Sequence, residues 1–176
     1  MDTYLQRLRD AITSATVGMN ADDLTWHPDG KWSTAQVLEH LYLSYSGTVK
    51  GFERCLEAGK PLARAPVLKD HMRTFVVTGL GHLPTGRQAP ERTRPRGMAV
   101  DEITRGIAPQ ILAMDEVIAQ CEARFGKRTL LVDHPVLGPL TARQWRKFHW
   151  IHGCHHLKQI KKLRGQGKGS DLSSTK

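Results

Sequence analysis

Apolar residues recur at three- and four-residue spacing in four stretches of the chain, and this spacing predicts four main helices. The first runs from about Asp2 to Val17, the second from Ser33 to about Ala58, and the third from about Asp101 to Arg124. The fourth runs from Thr141 through Leu163 to a glycine-rich end. We therefore predict an all-α fold, a four-helix bundle with long crossover connections.

Two short motifs mark the starts of predicted helices. Ser33 is followed three residues later by Gln36, and Thr141 by Gln144. This is the capping-box pattern, in which the two side chains bond reciprocally to backbone N–H groups that the first helical turn leaves unpaired. Within the third predicted helix, Pro109 lacks the N–H that an interior position requires. We expect a kink or a later start there.

The segments between these helices are long. Residues 60–100 are too many for a tight hairpin, and within them Pro66–Val77 is predicted to form a short extra helix ended by Gly79. The segment Leu83–Met98 contains three prolines and four arginines and is predicted to be a surface loop. Residues 129–139 have the pattern of a small extended hairpin before the last helix.

Length and composition indicate a single globular domain. The chain has 176 residues, of which 39% are hydrophobic and 24% charged, ordinary values for a domain with a sizeable core. We assign residues 1–164 to the helical domain and residues 165–176 to a disordered basic tail.

No stretch approaches the roughly 18–20 apolar residues of a membrane span. The N-terminus lacks the pattern of a signal peptide. Three scattered cysteines give no disulfide framework, so a cytoplasmic location is expected.

The net charge of +9 is concentrated at one end of the chain. Residues 126–176 contain eleven Lys or Arg and two Asp, whereas residues 1–125 carry fifteen charges of each sign. On the last helix, Arg143, Lys147, Lys158 and Lys161 lie opposite the histidine-rich stripe, as expected of a solvated outer face. Because aromatic residues that stack on bases are not interleaved with these cations, nucleic acid is not an expected partner.

Histidines supply the candidate chemistry. The chain has nine, and four of them fall between residues 149 and 156. His152 and His156 are four residues apart, one above the other on the same helical face, with Cβ atoms about 5–6 Å apart. That spacing lets two imidazoles bind one ion. Because an unpaired buried imidazole is costly, several together indicate a cation as their partner.

A third ligand must come from another helix. His40 is the best candidate, because the small residues Ser44, Gly47 and Gly51 continue its stripe and leave room beside it. His149 shares the stripe of His152 and remains a competitor. Three neutral imidazoles suit Zn, Ni, Cu or Fe(II) rather than Mg or Ca. With no fourth protein ligand apparent, water or substrate would complete the coordination, as in catalytic sites.

The remaining polar residues near this stripe have ordinary interpretations. His155 points about 100° away from His156 and is assigned to the rim or to solvent. Gln159 either orients a ligand through a hydrogen bond or is a buried structural residue. We interpret the other four histidines as ordinary surface residues: His27, His71, His82 and His134.

Four segments together resemble the DinB/YfiT-like metal-binding four-helix bundle superfamily, and within it the branch called domain of unknown function 1569. They are Gly30–Leu41, Pro84–Pro90, His134–Thr141 and His152–Ile160. The resemblance covers nearly the whole chain except the tail. It implies that His40, His152 and His156 hold a divalent transition metal. Zinc or nickel is favoured, with iron or manganese as alternatives.

Members of that superfamily with known activity resemble metal-dependent thiol transferases. The resemblance therefore implies a low-molecular-weight thiol and a small-molecule substrate as partners, for thiol transfer or a related hydrolysis. The alternative is a non-catalytic metal-binding stress or interaction protein. A homodimer is compatible with such a bundle, although no sequence feature demonstrates one. No catalytic residue beyond the metal ligands follows from the sequence.

Overall fold

The computed structural model describes residues 1–83 and 88–170. The chain is mostly helical, with six α-helices and one two-stranded sheet in the part described. In chain order the elements are α1 (Thr3–Thr16), α2 (Ala21–Thr25), α3 (Thr34–Glu57), α4 (Leu68–Thr74), α5 (Val100–Phe125), β1 (Leu130–His134), β2 (Gly138–Thr141) and α6 (Ala142–Ser170).

The four long helices α1, α3, α5 and α6 correspond to the four predicted ones, and both predicted capping boxes are present. The Ser33 hydroxyl accepts from the Gln36 N–H at 3.2 Å, and the Gln36 side-chain oxygen accepts from the Ser33 N–H at 2.9 Å. At the start of α6, Thr141 and Gln144 bond in the same reciprocal way. These bonds satisfy backbone donors that a helix start otherwise leaves unpaired.

Three details of the structure complete or correct the predicted arrangement of helices. Strands β1 and β2 pair in an antiparallel hairpin with His134 opposite Gly138, which confirms the predicted extended hairpin and adds a small sheet to the helices. Helix α2 was not predicted. It begins with a capping box between Asn20 and Asp23 but is too short to show an apolar stripe. Helix α5 begins at Val100 and continues through Pro109, so the later start considered for it was wrong.

The crossover between α3 and α5 contains the predicted short helix. Helix α4 continues into a π-helical turn, Phe75–Gly79, so the segment ends at the expected glycine. The expectation of a plain surface loop over Leu83–Met98 was incomplete. Part of this loop, which includes the 3₁₀ turn Glu91–Thr93, hydrogen-bonds to the side chains of α3. Residues 84–87 lie outside the described part of the chain.

The last helix is longer than expected. Its backbone remains helical through Ser170, beyond the boundary at residue 165 where we predicted a disordered tail. The glycines of this segment therefore do not end the helix. Residues 171–176, the rest of the predicted tail, lie outside the described residues.

One continuous core positions the helices. Helix α3 packs along α5, and α1 packs along α6. Gly153 of α6 lies so close to Leu8 of α1 that a Cβ atom there would be 2.1 Å from the leucine Cδ1. On its other side, α6 is bound to α5 by Arg146, which contacts Asp115 at 3.2 Å and Glu122 at 2.6 Å. Among the described helices, none combines the length and apolar character needed to cross a bilayer.

Candidate metal centre

Helices α3 and α6 bring three histidines together. His40 lies in the second turn of α3, and His152 and His156 lie one turn apart on α6. One ring nitrogen from each of the three falls within 4.8 Å of the other two. The arrangement follows from the packing of two helices. Helix α6 presents its histidines on a stripe that is otherwise apolar, whereas α3 presents His40 on the stripe that the small residues Ser44, Gly47 and Gly51 continue.

The facing atoms are the Nε2 nitrogens. Nε2 of His152 lies 3.2 Å from Nε2 of His40 and 3.0 Å from Nε2 of His156. His40 and His156 are buried, whereas His152 retains partial exposure as a residue. His152 therefore occupies the middle of the cluster, with one imidazole on either side.

Hydrogen bonds at the opposite ring nitrogens fix two of these imidazoles. Nδ1 of His40 lies 2.7 Å from the carbonyl oxygen of Thr93, and Nδ1 of His156 lies 2.8 Å from the side-chain oxygen of Gln159. Because a carbonyl oxygen only accepts, each Nδ1 must donate a proton. In a neutral imidazole the Nε2 atom then carries a lone pair. Two lone pairs are thus directed at His152.

His152 cannot satisfy both neighbours by itself. A neutral imidazole has one N–H, which can be donated to only one of the two facing nitrogens. Its Nδ1 atom is buried and has no hydrogen-bond partner within residues 1–83 and 88–170. Unsatisfied buried polar atoms are costly and rare in native proteins. A single cation between the three rings could accept one nitrogen lone pair from each of them.

Burial keeps these imidazoles neutral. It lowers the pKa of His40, and it lowers the pKa of His156 to about 4. Burial lowers the pKa of His152 well below its ordinary value, and the nearby His156 and His40 side chains lower it further. All three side chains are therefore in the neutral, singly protonated form at neutral pH, the form in which imidazole binds metals.

The spacing fits a single transition-metal ion. Two nitrogens each about 2.0–2.1 Å from one ion are separated by about 2.8–3.4 Å when the angle between them is about 90–110°. The observed separations of 3.0 and 3.2 Å fall in this range. No fourth His, Cys, Asp or Glu joins the group in the part of the chain that the structure describes. Three nitrogen donors leave coordination positions for water or a substrate.

The other candidate residues on α6 lie outside the cluster. His149, the competitor to His40, is buried with its Nε2 atom 3.0 Å from the Thr48 hydroxyl, and it does not join the three converging nitrogens. His155 is half-buried, and its Nε2 atom lies 3.3 Å from the Gln159 amide nitrogen. Gln159 thus bridges His156 and His155, which is the orienting arrangement considered from the sequence.

Of the four histidines interpreted as ordinary surface residues, His134 has a different environment. His27, His71 and His82 are exposed, but the ring of His134 packs 4.2 Å from that of Phe148. Its Nδ1 atom accepts from the backbone N–H groups of Val136 and Leu137, both at 3.1 Å. Burial lowers its pKa to about 3. His134 stabilises the turn of the β-hairpin next to α6.

The chain matches the family described as protein of unknown function DUF1569 over residues 3–163. The chain belongs to this family. The matched region runs from the start of α1 into α6 and contains all three converging histidines. The description of the family assigns no activity. Comparisons with curated proteins and with solved structures find no match.

The sequence of this DUF1569 protein did not predict a role at the cluster for three residues that lie near it. Thr93 acts through its backbone carbonyl, which no side-chain pattern reveals. Trp32 lies within the segment Gly30–Leu41 that carries the family resemblance but received no role, yet its ring centroid lies 5.4 Å from that of His40. Glu39 is buried and accepts two backbone N–H groups of the loop. The apolar pattern of the predicted helix gave no signal for Glu39, because this residue lies about 100° around the helix from Leu38 of the apolar stripe.

Proposed function

We propose that this DUF1569 protein binds one divalent transition metal ion through His40, His152 and His156. We further propose that its four long helices form the DinB-like four-helix bundle that the sequence resembles. The observation that carries the proposal is the convergence of three Nε2 atoms, two of them with lone pairs directed inward by hydrogen bonds to Thr93 and Gln159. A hydrogen-bonded second ring nitrogen is the usual support of a histidine ligand.

The donor set narrows the choice of metal. Neutral imidazoles bind zinc, nickel, copper and iron, whereas magnesium and calcium prefer oxygen ligands. Zinc or nickel best suits three nitrogens with no carboxylate. Iron and manganese remain alternatives, although a purely imidazole set favours them less.

For the activity, we propose metal-dependent thiol transfer or a related hydrolysis. A bound Lewis-acidic ion would lower the pKa of a thiol or water ligand and so supply a nucleophile at neutral pH. The protein's own contribution is positional. Thr93 and Gln159 hold two ligands in one tautomer, and Trp32 provides an aromatic wall beside His40. A low-molecular-weight thiol and a small electrophile are the proposed partners.

One observation favours a second candidate, a non-catalytic metal-binding protein. His40 and His156 are only 4% and 6% exposed, and the loop containing Thr93 covers His40. A centre enclosed in this way would suit a structural or sensing role. The two candidates differ in ligand access. Addition of a small thiol to the cobalt-substituted protein should produce thiolate-to-metal absorption if the centre is open, and none if it is closed.

Metal analysis of protein purified without an affinity tag tests the proposal. We expect about one equivalent of zinc or nickel, or uptake of one equivalent by chelator-treated protein. His156→Ala should abolish stoichiometric binding because two imidazoles hold an ion weakly. His155→Ala is the matched control, since this neighbouring histidine lies outside the cluster. Equal metal content in the two variants would refute the assignment.

A further inference from the structure

A buried carboxylate lies next to His40 in the sequence. Glu39 is only 1% exposed, and its two oxygens accept from consecutive backbone amides. Oε1 accepts from the Arg96 N–H at 2.6 Å and Oε2 from the Gly97 N–H at 3.1 Å. Among the residues that the structure describes, Glu39 forms no salt bridge. Burial of a carboxylate is costly unless strong hydrogen bonds offset it. The two hydrogen bonds from the loop are therefore what stabilises the buried Glu39 carboxylate.

The same loop also contacts the candidate metal centre. Three residues before Arg96, the Thr93 carbonyl accepts from Nδ1 of His40 at 2.7 Å. Glu39 and His40 are consecutive on α3, so their side chains leave the helix about 100° apart. The loop is thus attached to α3 at two points on different faces of the helix. A shift at Arg96 and Gly97 would be transmitted over three residues to the Thr93 carbonyl.

The chemistry of the contact is specific to a carboxylate. Two adjacent N–H groups directed at one point form a concave site that suits an anion. Gly97 has a φ of 88°, a left-handed backbone conformation that glycine adopts without strain. A glutamine at position 39 would direct its NH₂ group at one of the two N–H donors, because an amide has only one oxygen.

We propose that Glu39 is a positioning residue for the metal centre. Its carboxylate holds Arg96 and Gly97, and this holds the Thr93 carbonyl against Nδ1 of His40. His40 is thereby kept in the tautomer that directs its Nε2 lone pair at His152. The inference rests on the proposed metal binding at His40, His152 and His156. Loss of residues that orient a ligand typically weakens metal binding about 10- to 100-fold.

Two substitutions loosen the contact by different means. Glu39→Gln removes the charge and one acceptor, whereas Gly97→Ala keeps the charge and strains the backbone without a steric clash, since no atom lies within 4 Å of the added Cβ. Glu53→Gln is the matched control, because Glu53 is an exposed glutamate on the same helix. Zinc affinity is measured by competition with a chromogenic chelator, and folding by circular dichroism. We expect both loop variants to bind zinc about 10- to 100-fold more weakly, with the control unchanged.

Two measurements on metal-free protein distinguish a role of Glu39 in positioning His40 from a role that only stabilises the loop. Amide hydrogen exchange at Arg96 and Gly97 should accelerate at least about tenfold in Glu39→Gln. The ¹⁵N shifts of the His40 ring should change from a single Nδ1–H tautomer to a mixture. Faster exchange with an unchanged His40 tautomer and unchanged zinc affinity would overturn the inference. So would weaker binding in Glu39→Gln but not in an equally loosened Gly97→Ala, since the charge would then act directly.

The metal-free measurements also keep the two proposals distinguishable. If wild-type protein takes up no zinc, nickel, cobalt, iron or manganese, the proposed function fails. The tautomer measurement still decides whether Glu39 acts on His40, and an unchanged tautomer in Glu39→Gln would overturn the inference independently.

Discussion

The Nε2 atoms of His40 and His152 lie 3.2 Å apart although 112 positions separate the two residues in the chain. The Thr93 carbonyl fixes the proton of His40 on Nδ1, so the His40 Nε2 atom faces His152 as an acceptor. His156 approaches the same His152 atom from the other side at 3.0 Å. Without a cation, at least one of these facing nitrogens remains unsatisfied.

Metal binding should therefore stabilise the fold measurably. A ligand that binds only the native state, at a free concentration of 100 times its Kd, adds about 2.7 kcal/mol to the free energy of unfolding. We expect zinc, added to chelator-treated protein at such an excess, to raise stability by this order in urea titrations. The His156→Ala variant should show no comparable increase. An equal increase in both would mean that zinc binds elsewhere.

Acid should destabilise the metal-free protein, in part through His149. This histidine is 1% exposed, and burial lowers its pKa to about 3 from an ordinary 6.5. Between these values the unfolded chain binds a proton that the native state does not. The stabilisation is thus complete above pH 6.5 and is lost as the pH falls toward 3. Linkage gives about 1.4 kcal/mol per pH unit, or about 2 kcal/mol between pH 7 and pH 5.

Urea titrations of chelator-treated protein at several pH values measure this loss. His149→Gln has no titrating group at this position but keeps a side-chain donor for the Thr48 hydroxyl. Its stability should depend on pH less steeply, by about one proton, over the same range. Identical slopes for the two proteins would show that His149 is not protonated on unfolding in this interval.

Gly153 is predicted to favour the close packing of α1 on α6. A Cβ atom there would lie 2.1 Å from Cδ1 of Leu8, a fully buried side chain. Gly153→Ala should cost about 1–3 kcal/mol through overpacking, more than the ~1 kcal/mol that alanine gains over glycine in a helix. Gly47→Ala is the control, because no atom lies within 4 Å of its added Cβ. It should be neutral or stabilising. Equal effects would contradict the close contact.

The sequence predicted those features that depend on neighbouring positions. The start of α3 followed from Ser33 and Gln36, because a capping box is a local pattern whose bonds form within one turn. The shared face of His152 and His156 followed from helical geometry alone. His40 was predicted as a ligand because small residues continue its stripe on α3 and because the chain resembles a metal-binding family. No local sequence pattern relates His40 to His152, which lies 112 positions later.

Features that depend on tertiary docking were not predictable in this way. The Pro- and Arg-rich composition of the loop before α5 indicated a surface segment. Its contacts with Glu39 and His40 are made by the backbone atoms of Thr93, Arg96 and Gly97, for which no residue-type rule exists. Helix α2 shows the opposite case. Its capping residues, Asn20 and Asp23, were present in the sequence, but five residues are too few to show periodicity.

Arg146 is predicted to be the most sensitive charged residue outside the metal centre. It is 7% exposed and binds two acidic residues of α5, Asp115 and Glu122. Asp115 also accepts the backbone N–H of Asp2 at 2.8 Å, which brings the start of α1 to the same point. Arg146→Met would leave Glu122 without its cation and Asp115 with only the Met1 ammonium group, 4.0 Å away, and loss of one partner of a buried ion pair typically costs about 3–5 kcal/mol.

A double-mutant cycle tests whether this cost arises from the stranded charges. Arg146→Met, Asp115→Asn and the double variant are compared with wild type by urea unfolding. Because Asp115→Asn removes one of the charges that Arg146→Met strands, the double variant should be destabilised less than the sum of the single variants, by about 1–3 kcal/mol. Strict additivity would mean that the two residues stabilise the protein independently, and a cost below about 1 kcal/mol for Arg146→Met would mean that water screens the pair.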